Sequence, residues 1–174
     1  GDLQLRLPAL LDRPAAGACQ AMQRDAAQAA AEVEADLVYL DPPYNQHKYE
    51  GNYHVWETLV RWDAPEHYGV ACKRVDVRER RSGFNSKPGS AGALTEVVDA
   101  LRARWAVVSF SDEGFLSRDE LTEILSRRGR VQVHERAHDR YVGAKIGIHN
   151  PAGEKVGTVT HTKNREYLFV VELT

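Results

Sequence analysis

The chain has 174 residues, of which 43% are hydrophobic and 28% charged, with a formal net charge of −2. This length and balance fit one globular domain with a buried core, and the charge alone does not indicate a nucleic-acid-binding protein. No run approaches the ~20 apolar residues of a membrane-spanning helix, and no signal-peptide pattern opens the chain. Cys19 and Cys72 have no metal-ligand spacing, so we expect a cytoplasmic protein with reduced thiols.

The first predicted elements are a helix, a buried strand and a second helix. Ala, Gln and Glu dominate from about Asp25 to Glu34, a composition typical of a helix. Leu37–Leu40 is a short apolar run typical of a strand buried on both faces. Pro42 and Pro43 must end this strand, because neither can donate to a ladder. Apolar residues at helical spacing predict a helix over Tyr53–Trp62, with its tryptophans in the core.

Residues 72–92 differ in composition from the segments around them. Several cations are followed by Ser, Gly, Asn and Pro, which predicts a basic, mobile surface loop. Its cations Arg78, Arg80, Arg81 and Lys87 could bind the phosphates of a nucleic acid. A solvated loop with no ligand is an equally good interpretation, because acidic residues dilute the charge.

Strands and helices alternate through the rest of the chain. The predicted elements are a helix at 93–104, a strand at 105–110, a helix that begins with the capping box Ser117–Glu120 and ends by Gly129, and strands at 131–136 and 166–172. Residues 137–164 predict a hairpin excursion. The alternation predicts an α/β fold with a mostly parallel sheet. The final strands are joined without a clear helix, so we expect the last one to be antiparallel.

An Asp-Pro-Pro-Tyr turn follows the first predicted strand, at the end where open α/β sheets bind their ligands. An exocyclic amino nitrogen is a weak nucleophile, since its lone pair is delocalised into the ring. The Asp41 carboxylate and the Pro42 carbonyl could accept its two N–H bonds and aim the lone pair at a methyl sulfonium, while Pro43 keeps the turn rigid. Tyr44 offers a face on which a flipped base can stack. The alternative is an ordinary turn after a strand.

The run from Asp41 to Tyr49, followed by Asn52–Thr58, resembles bacterial adenine-N6 DNA methyltransferases. It is most similar to the subgroup that places target recognition between its cofactor half and its catalytic half. Two later segments, Ser109–Asp112 and 164–169, resemble that family's strand-end motif and its C-terminal strand. The resemblance implies the later half of a Rossmann-like methyltransferase sheet with an antiparallel end strand. It also implies methyl transfer from S-adenosylmethionine to adenine N6 in double-stranded DNA, as in restriction-modification systems.

The resemblance also implies binding residues around the turn. Asp25 and Ala26 match the position beside the cofactor adenine, and Asp41 would border the cofactor as well. DNA contacts near the flipped base are expected from four residues of the following loop, Asn45, His47, Lys48 and Tyr49, for which an ordinary polar loop is the alternative.

One departure from the family pattern concerns the cofactor. The glycine-containing loop and the acidic residue expected to hold most of S-adenosylmethionine do not occur ahead of Asp25, and no target-recognition region is found. We therefore expect residues 1–174 to be the catalytic portion of a methyltransferase, whose N-terminal half lies on another chain or fragment.

Three alternatives remain open from the sequence. The Asp-Pro-Pro-Tyr turn also suits an N4-cytosine or RNA amino methyltransferase. A non-catalytic nucleic-acid-binding subunit of a split methyltransferase would explain the missing glycine loop.

His47, His54 and His67 have no zinc-ligand spacing, so we expect no metal site.

Overall fold

The computed structural model describes residue 9 and residues 19–139, 148–149, 155–157 and 163–174. Within these ranges the elements in chain order are α1 (Ala26–Glu32), β1 (Glu34–Leu40), α2 (Tyr49–Arg61), β2 (His67–Tyr68), β3 (Lys73–Arg74), α3 (Asp76–Glu79), a 3-10 turn (Gly83–Asn85), α4 (Ser90–Ala100), β4 (Arg102–Ser111), α5 (Arg118–Ser126), β5 (Gly129–Asp139), β6 (Ile148–His149), β7 (Lys155–Gly157) and β8 (Lys163–Leu173).

Among the described residues, the main sheet has four strands in the order β1-β4-β8-β5. Strands β1 and β4 are parallel, whereas β8 is antiparallel to both of its neighbours. Strands β1, β4 and β5 therefore run in one direction and the last strand of the chain runs against them. This confirms the predicted Rossmann-like α/β fold, in which the antiparallel strand is last in sequence but lies inside the sheet.

The hydrophobic core lies on one face of this sheet. Alternate residues of β4 and β8, among them Val108 and Phe169, are fully buried there. Leu94 and Val98 of α4 and Leu121 of α5 cover them. Helix α4 contacts both α1 and α5, so these three helices form one layer over the core face.

Local hydrogen bonds explain where several elements begin. The Asp25 carboxylate accepts from the amides of Ala27 and Gln28 and so begins α1. The predicted capping box of Ser117 and Glu120 is present at α5. Gly129, predicted to close α5, instead begins β5 two residues after the C-cap residue Arg127, and a side chain there would collide with the backbone of β8.

Helix α4 was predicted about three residues too late in the chain. It begins at Ser90 and ends at Ala100, because Arg102 and Ala103 already pair with Glu34 and Ala35 of β1. The strands gain backbone hydrogen bonds here that the helical composition does not reveal.

The prediction of a basic, mobile loop over 72–92 is wrong, since this segment contains β3, α3, the 3-10 turn and the start of α4. Arg74 is only 4% exposed and forms paired hydrogen bonds with Asp63, at 2.6 and 2.8 Å. It also donates to Asp76 and Thr58. These bonds attach β3 to α2, so the cation organises the fold locally.

The predicted core position of the α2 tryptophans is also wrong. Trp56 is 64% exposed, and Trp62, which ends α2 in a left-handed conformation, is 84% exposed. Helix α2 instead turns Thr58 and Arg61 toward Arg74 and Asp76 of the β3–α3 segment. Helical spacing identifies the helix, but it cannot tell which face is covered.

Most of the predicted excursion at 137–164 lies outside the described residues. Its described parts include β6 and β7, which pair antiparallel as a hairpin requires.

Candidate active site and nucleic-acid interface

Asp41 lies immediately after β1, next to the end of β4. Since Leu40 pairs with Val108, Asp41 is brought beside Ser109. The Ser109 hydroxyl donates to Oδ1 of Asp41 at 2.9 Å, and the Tyr39 hydroxyl donates to Ser109 Oγ at 3.0 Å. The carboxylate is exposed, so one of its oxygens is held by the protein while the group still faces solvent.

Tyr44 is fixed from its backbone and from one edge of its ring. Its carbonyl accepts from the amide of Phe115 at 2.8 Å, and its ring meets that of Phe110 edge to face at 6.0 Å. Burial raises the pKa of the Tyr44 phenol, and the nearby Glu166, Tyr49 and Asp41 raise it further. The phenol therefore stays protonated throughout the neutral range.

The loop after Tyr44 is held by two asparagines. The side chain of Asn45 accepts from the amide of His47 at 2.9 Å, an Asx turn that reverses the chain before α2. The side-chain amide of Asn85 donates to the carbonyl of Asn45 at 2.8 Å and to that of His47 at 3.3 Å. The 3-10 turn thus fixes the loop from outside.

Lys48 is engaged in internal contacts. Its ammonium donates to the carbonyl of Val77 at 3.0 Å and to the carbonyl of Arg80. These carbonyls belong to the end of α3, where a cation is favoured. The structure therefore uses Lys48 to connect the start of α2 to α3.

A basic cleft of about 370 Å³ follows the candidate catalytic loop. His47, Lys48, Lys73 and Arg78 all line it. The Arg78 guanidinium lies 3.7 Å from the centre of the Tyr68 ring, which also lines the cleft and holds the cation in place. The fold therefore brings cations from three separate segments together.

The other predicted cations point to different surfaces. Arg80 borders a cavity of about 270 Å³ with Tyr49 and Tyr53, whose rings stack at 5.7 Å. Arg81 borders another cavity with Asp25. Lys87 lies close enough to Glu120 to help lower the pKa of that carboxyl, which is lowered mainly by its bonds to Ser117. The four predicted cations thus do not form one patch.

Two of the three predicted cofactor residues, Asp25 and Ala26, line a cavity of about 470 Å³ between α1, the 3-10 turn and α4, whereas Asp41 does not border it. Asp25 and Ala26 form one wall, and Phe84 and Arg81 border the same space. Both capping bonds of Asp25 use Oδ1. The 3-10 turn connects this cavity to the catalytic loop, because Phe84 lines the cavity and its neighbour Asn85 bonds to the loop.

Sequence reasoning missed four residues that shape these sites: Tyr39, Lys73, Phe84 and Asn85. Tyr39 could have been found, because residues two apart on a strand share a face and Asp41 follows it by two. The bond from Ser109 was also missed, although Ser109 stands in a recognised strand-end motif. Lys73 and Asn85 depend on how distant segments fold together, which no local pattern reveals.

Cys19 and Cys72 are free thiols on the surface. Among the described residues, no helix is long and apolar enough to cross a membrane. The same residues include no group of three or more His, Cys, Asp or Glu side chains able to hold a metal ion.

Comparison with known proteins gives one family. The family described as D12 class N6 adenine-specific DNA methyltransferase matches residues 6–124, which is more than half of the chain. The chain therefore belongs to this family, whose matched region includes β1, the Asp-Pro-Pro-Tyr loop and β4. No solved structure matches the chain significantly.

Individual relatives are considerably longer than this chain. It is 35% identical over 102 residues to the type II methyltransferase M.FokI of Planomicrobium okeanokoites, covering 59% of this chain and 16% of that protein. Modification methylase StsI of Streptococcus sanguinis is 29% identical over 130 residues, covering 73% and 20%. Type II methyltransferase M.NlaIII of Neisseria lactamica is 28% identical over 158 residues, covering 89% and 43%. The chain thus spans less than half the length of each.

Proposed function

We propose that this chain carries the catalytic site of an enzyme that methylates N6 of adenine in DNA, with S-adenosylmethionine as methyl donor. The proposal rests chiefly on the rigid Asp-Pro-Pro-Tyr loop at the carboxyl end of β1, where the Asp41 carboxylate is exposed and held through one oxygen. It agrees with the family to which the chain belongs. The cytoplasm is the proposed compartment, because the sequence resembles bacterial DNA methyltransferases, whose substrate DNA lies there.

Asp41 and Pro42 would orient the amino group of the flipped base. Ser109 occupies Oδ1 of Asp41, which leaves Oδ2 to accept one N–H bond of that group. The Pro42 carbonyl would accept the other bond, and Pro43 limits its movement. Such preorganised acceptors stabilise the pyramidal nitrogen without reorganisation during the reaction.

Tyr44 would hold the base by stacking. Its edge contact with Phe110 and its backbone bond from Phe115 fix the ring before any ligand arrives. Stacking of a base on an aromatic side chain contributes about 1–3 kcal/mol.

The cavity beside Asp25 fits the adenine end of S-adenosylmethionine. Phe84 provides an aromatic contact, and Oδ2 of Asp25 can accept from an amino group because capping uses only Oδ1. The bound cofactor would supply an electrophilic methyl group. The chain's own contribution is to hold the adenine end, and the shared 3-10 turn keeps this cavity in register with the catalytic loop.

We propose the basic cleft as the phosphate-binding surface for the DNA strand that carries the target adenine. Lys73 and Arg78 contribute its charge, and His47 and Asn45 connect it to the catalytic loop. Lys48 acts indirectly, because it holds α3 and thereby Arg78. Tyr49 stacks on Tyr53 and lies near enough to Tyr44 to raise the pKa of its phenol, so it would border the flipped base.

The rest of the cofactor site would come from a polypeptide segment that adds to β1. Strand β1 is at the edge of the described sheet, and an apolar groove of about 290 Å³ runs beside it. Leu37 is 56% exposed on its outer face. Parallel strands are normally buried within a sheet, so this edge suits another strand. Leu37→Asp should weaken assembly with such a segment, whereas Val60→Asp on α2 should not; equal effects would remove this proposal.

The test of the proposed reaction is methyl transfer by the complete enzyme that contains this chain. Labelled S-adenosylmethionine is the donor and unmethylated genomic DNA the acceptor, with RNA in a parallel reaction, and labelled N6-methyladenine and N4-methylcytosine are measured after hydrolysis. Asp41→Ala should abolish the product and leave DNA affinity nearly unchanged. Label in N4-methylcytosine or in RNA would indicate the alternative methyltransferases, and DNA binding without any methyl transfer would indicate a non-catalytic subunit.

A further inference from the structure

Three side chains form a line of hydrogen bonds on the face of the sheet opposite the core. Tyr39 donates to Ser109 at 3.0 Å, and Ser109 donates to Asp41 at 2.9 Å. The register explains the line, because Tyr39 and Asp41 share one face of β1 and Ser109 is adjacent on β4. The bonds therefore span two parallel strands and end on the carboxylate.

Stability alone does not explain this arrangement. Tyr39 is 58% exposed, and its hydroxyl could instead bond to water. A protein hydrogen bond that replaces a hydrogen bond to water contributes little to folding. Its direction is more informative, since each hydroxyl donates toward Asp41 and the first donor polarises the second.

We propose that Tyr39 and Ser109 are positioning residues that fix Asp41 for the proposed methyl transfer. Ser109 holds Oδ1, so the carboxylate plane and Oδ2 have one orientation toward the amino group. Tyr39 holds the Ser109 hydroxyl in its donating orientation, because the serine must accept from the phenol and can then donate only to Asp41. This inference rests on the proposed function and adds two residues that act through Asp41.

The experiment measures kcat, KM for DNA and the thermal midpoint of the complete enzyme and its variants. Ser109→Ala should lower kcat by about 10- to 100-fold, the range expected for a misplaced reacting group. Tyr39→Phe should lower kcat by about 2- to 10-fold, as loss of one neutral hydrogen bond allows. KM for DNA and the thermal midpoint should stay near wild type. Thr122→Val, which removes another internally bonded hydroxyl, is the control expected to leave kcat unchanged.

Two further variants separate positioning from a general structural effect. Ser109→Thr keeps a hydroxyl and should recover much of the lost kcat. In the Ser109→Ala background, Tyr39→Phe should have no further effect on kcat, because the line of hydrogen bonds to Asp41 is already broken. Independent effects of the two substitutions on kcat would overturn the proposal that Tyr39 acts through Ser109.

The outcomes distinguish this inference from the proposed function. If the wild-type enzyme makes N6-methyladenine and Ser109→Ala has an unchanged kcat, only the proposed positioning roles of Tyr39 and Ser109 are overturned. If the wild-type enzyme makes no N6-methyladenine, the proposed function is overturned, and the positioning roles of Tyr39 and Ser109 with it.

Discussion

The two faces of the sheet differ in what they bury. On one face Val108 and Phe169 are fully covered by α4 and α5. On the other face the neighbouring strand positions include Leu37, Tyr39 and Leu168, which are 56%, 58% and 38% exposed. The same strands therefore supply a packed interior on one side and an accessible surface on the other.

The two faces of β1 therefore differ in use: one contributes to the core, and the other leads to the candidate site. Alternate residues of β1, such as Val38, pack against the core. The residues between them lie on the open face, which includes Tyr39 and leads to Asp41. Side chains on the open face can change with little effect on the core. The chain can thus place the Asp41 carboxylate at the end of a rigid strand without burying its charge.

The largest expected effect compares the two faces directly. Phe169→Ala should lower the free energy of unfolding by about 3–5 kcal/mol, because it leaves a cavity in the closed core. Leu37→Ala should change it by about 0.5 kcal/mol or less, as for other exposed positions. Denaturant unfolding of both variants measures the contrast, and similar losses would show that the open face is packed in solution.

The ring of Tyr44 packs against Phe110 of the core, and its phenol lies near enough to Asp41 for that carboxylate to raise the pKa of the phenol. Tyr44→Ala should lower kcat/KM for DNA by about 5- to 150-fold through lost stacking. Tyr44→Phe should keep most of the activity. Because its phenol has a raised pKa and stays protonated, the two rates should have the same pH dependence between about pH 7 and 9. A different dependence would assign the hydroxyl a direct part in the reaction.

The basic cleft should affect DNA affinity without affecting the core. Lys73→Gln and Arg78→Gln should each weaken DNA binding and reduce the slope of log affinity against log salt by about 1. Arg130→Gln, on the exposed far strand β5, is the matched control and should leave both quantities unchanged. Equal losses in all three variants would mean that charge acts without a defined site.

The smallest effect is expected where β3 attaches to α2. Hydrogen bonds from Arg74 lower the pKa of both Asp63 and Asp76. Lowered carboxyl pKa values stabilise the fold above the ordinary Asp value of about 3.9, and this contribution is lost as the pH falls through the lowered values. Thermal midpoints from pH 6 to pH 3 should therefore fall more for wild type than for Arg74→Met. If the thermal midpoints of wild type and Arg74→Met fall equally with pH, the ion pairs of Arg74 do not stabilise the fold.

Local patterns in the sequence predicted much of the fold. The alternation of strands and helices, the proline-ended first strand and the Ser117–Glu120 box identify elements whose signals lie within a few residues. The antiparallel last strand followed from the missing helix before it.

The sequence could not predict contacts between distant segments. The strongly basic appearance of 72–92 concealed the role of Arg74, because its partner Asp63 becomes a neighbour only after α2 and β3 pack together. Likewise, Trp56 follows a helical pattern that says nothing about which face meets another element. In the candidate site, the turn itself was predicted, whereas Asn85 and Ser109, which bond to it, lie 40 and 68 positions away in the sequence.

The most direct test of the central claim is N6-methyladenine formation by wild type and Asp41→Ala in the complete enzyme, with DNA affinity measured on the same samples. We expect labelled N6-methyladenine for wild type, none for the variant, and similar DNA affinity for both. Undiminished methylation by Asp41→Ala would contradict the assignment of the reaction to this loop.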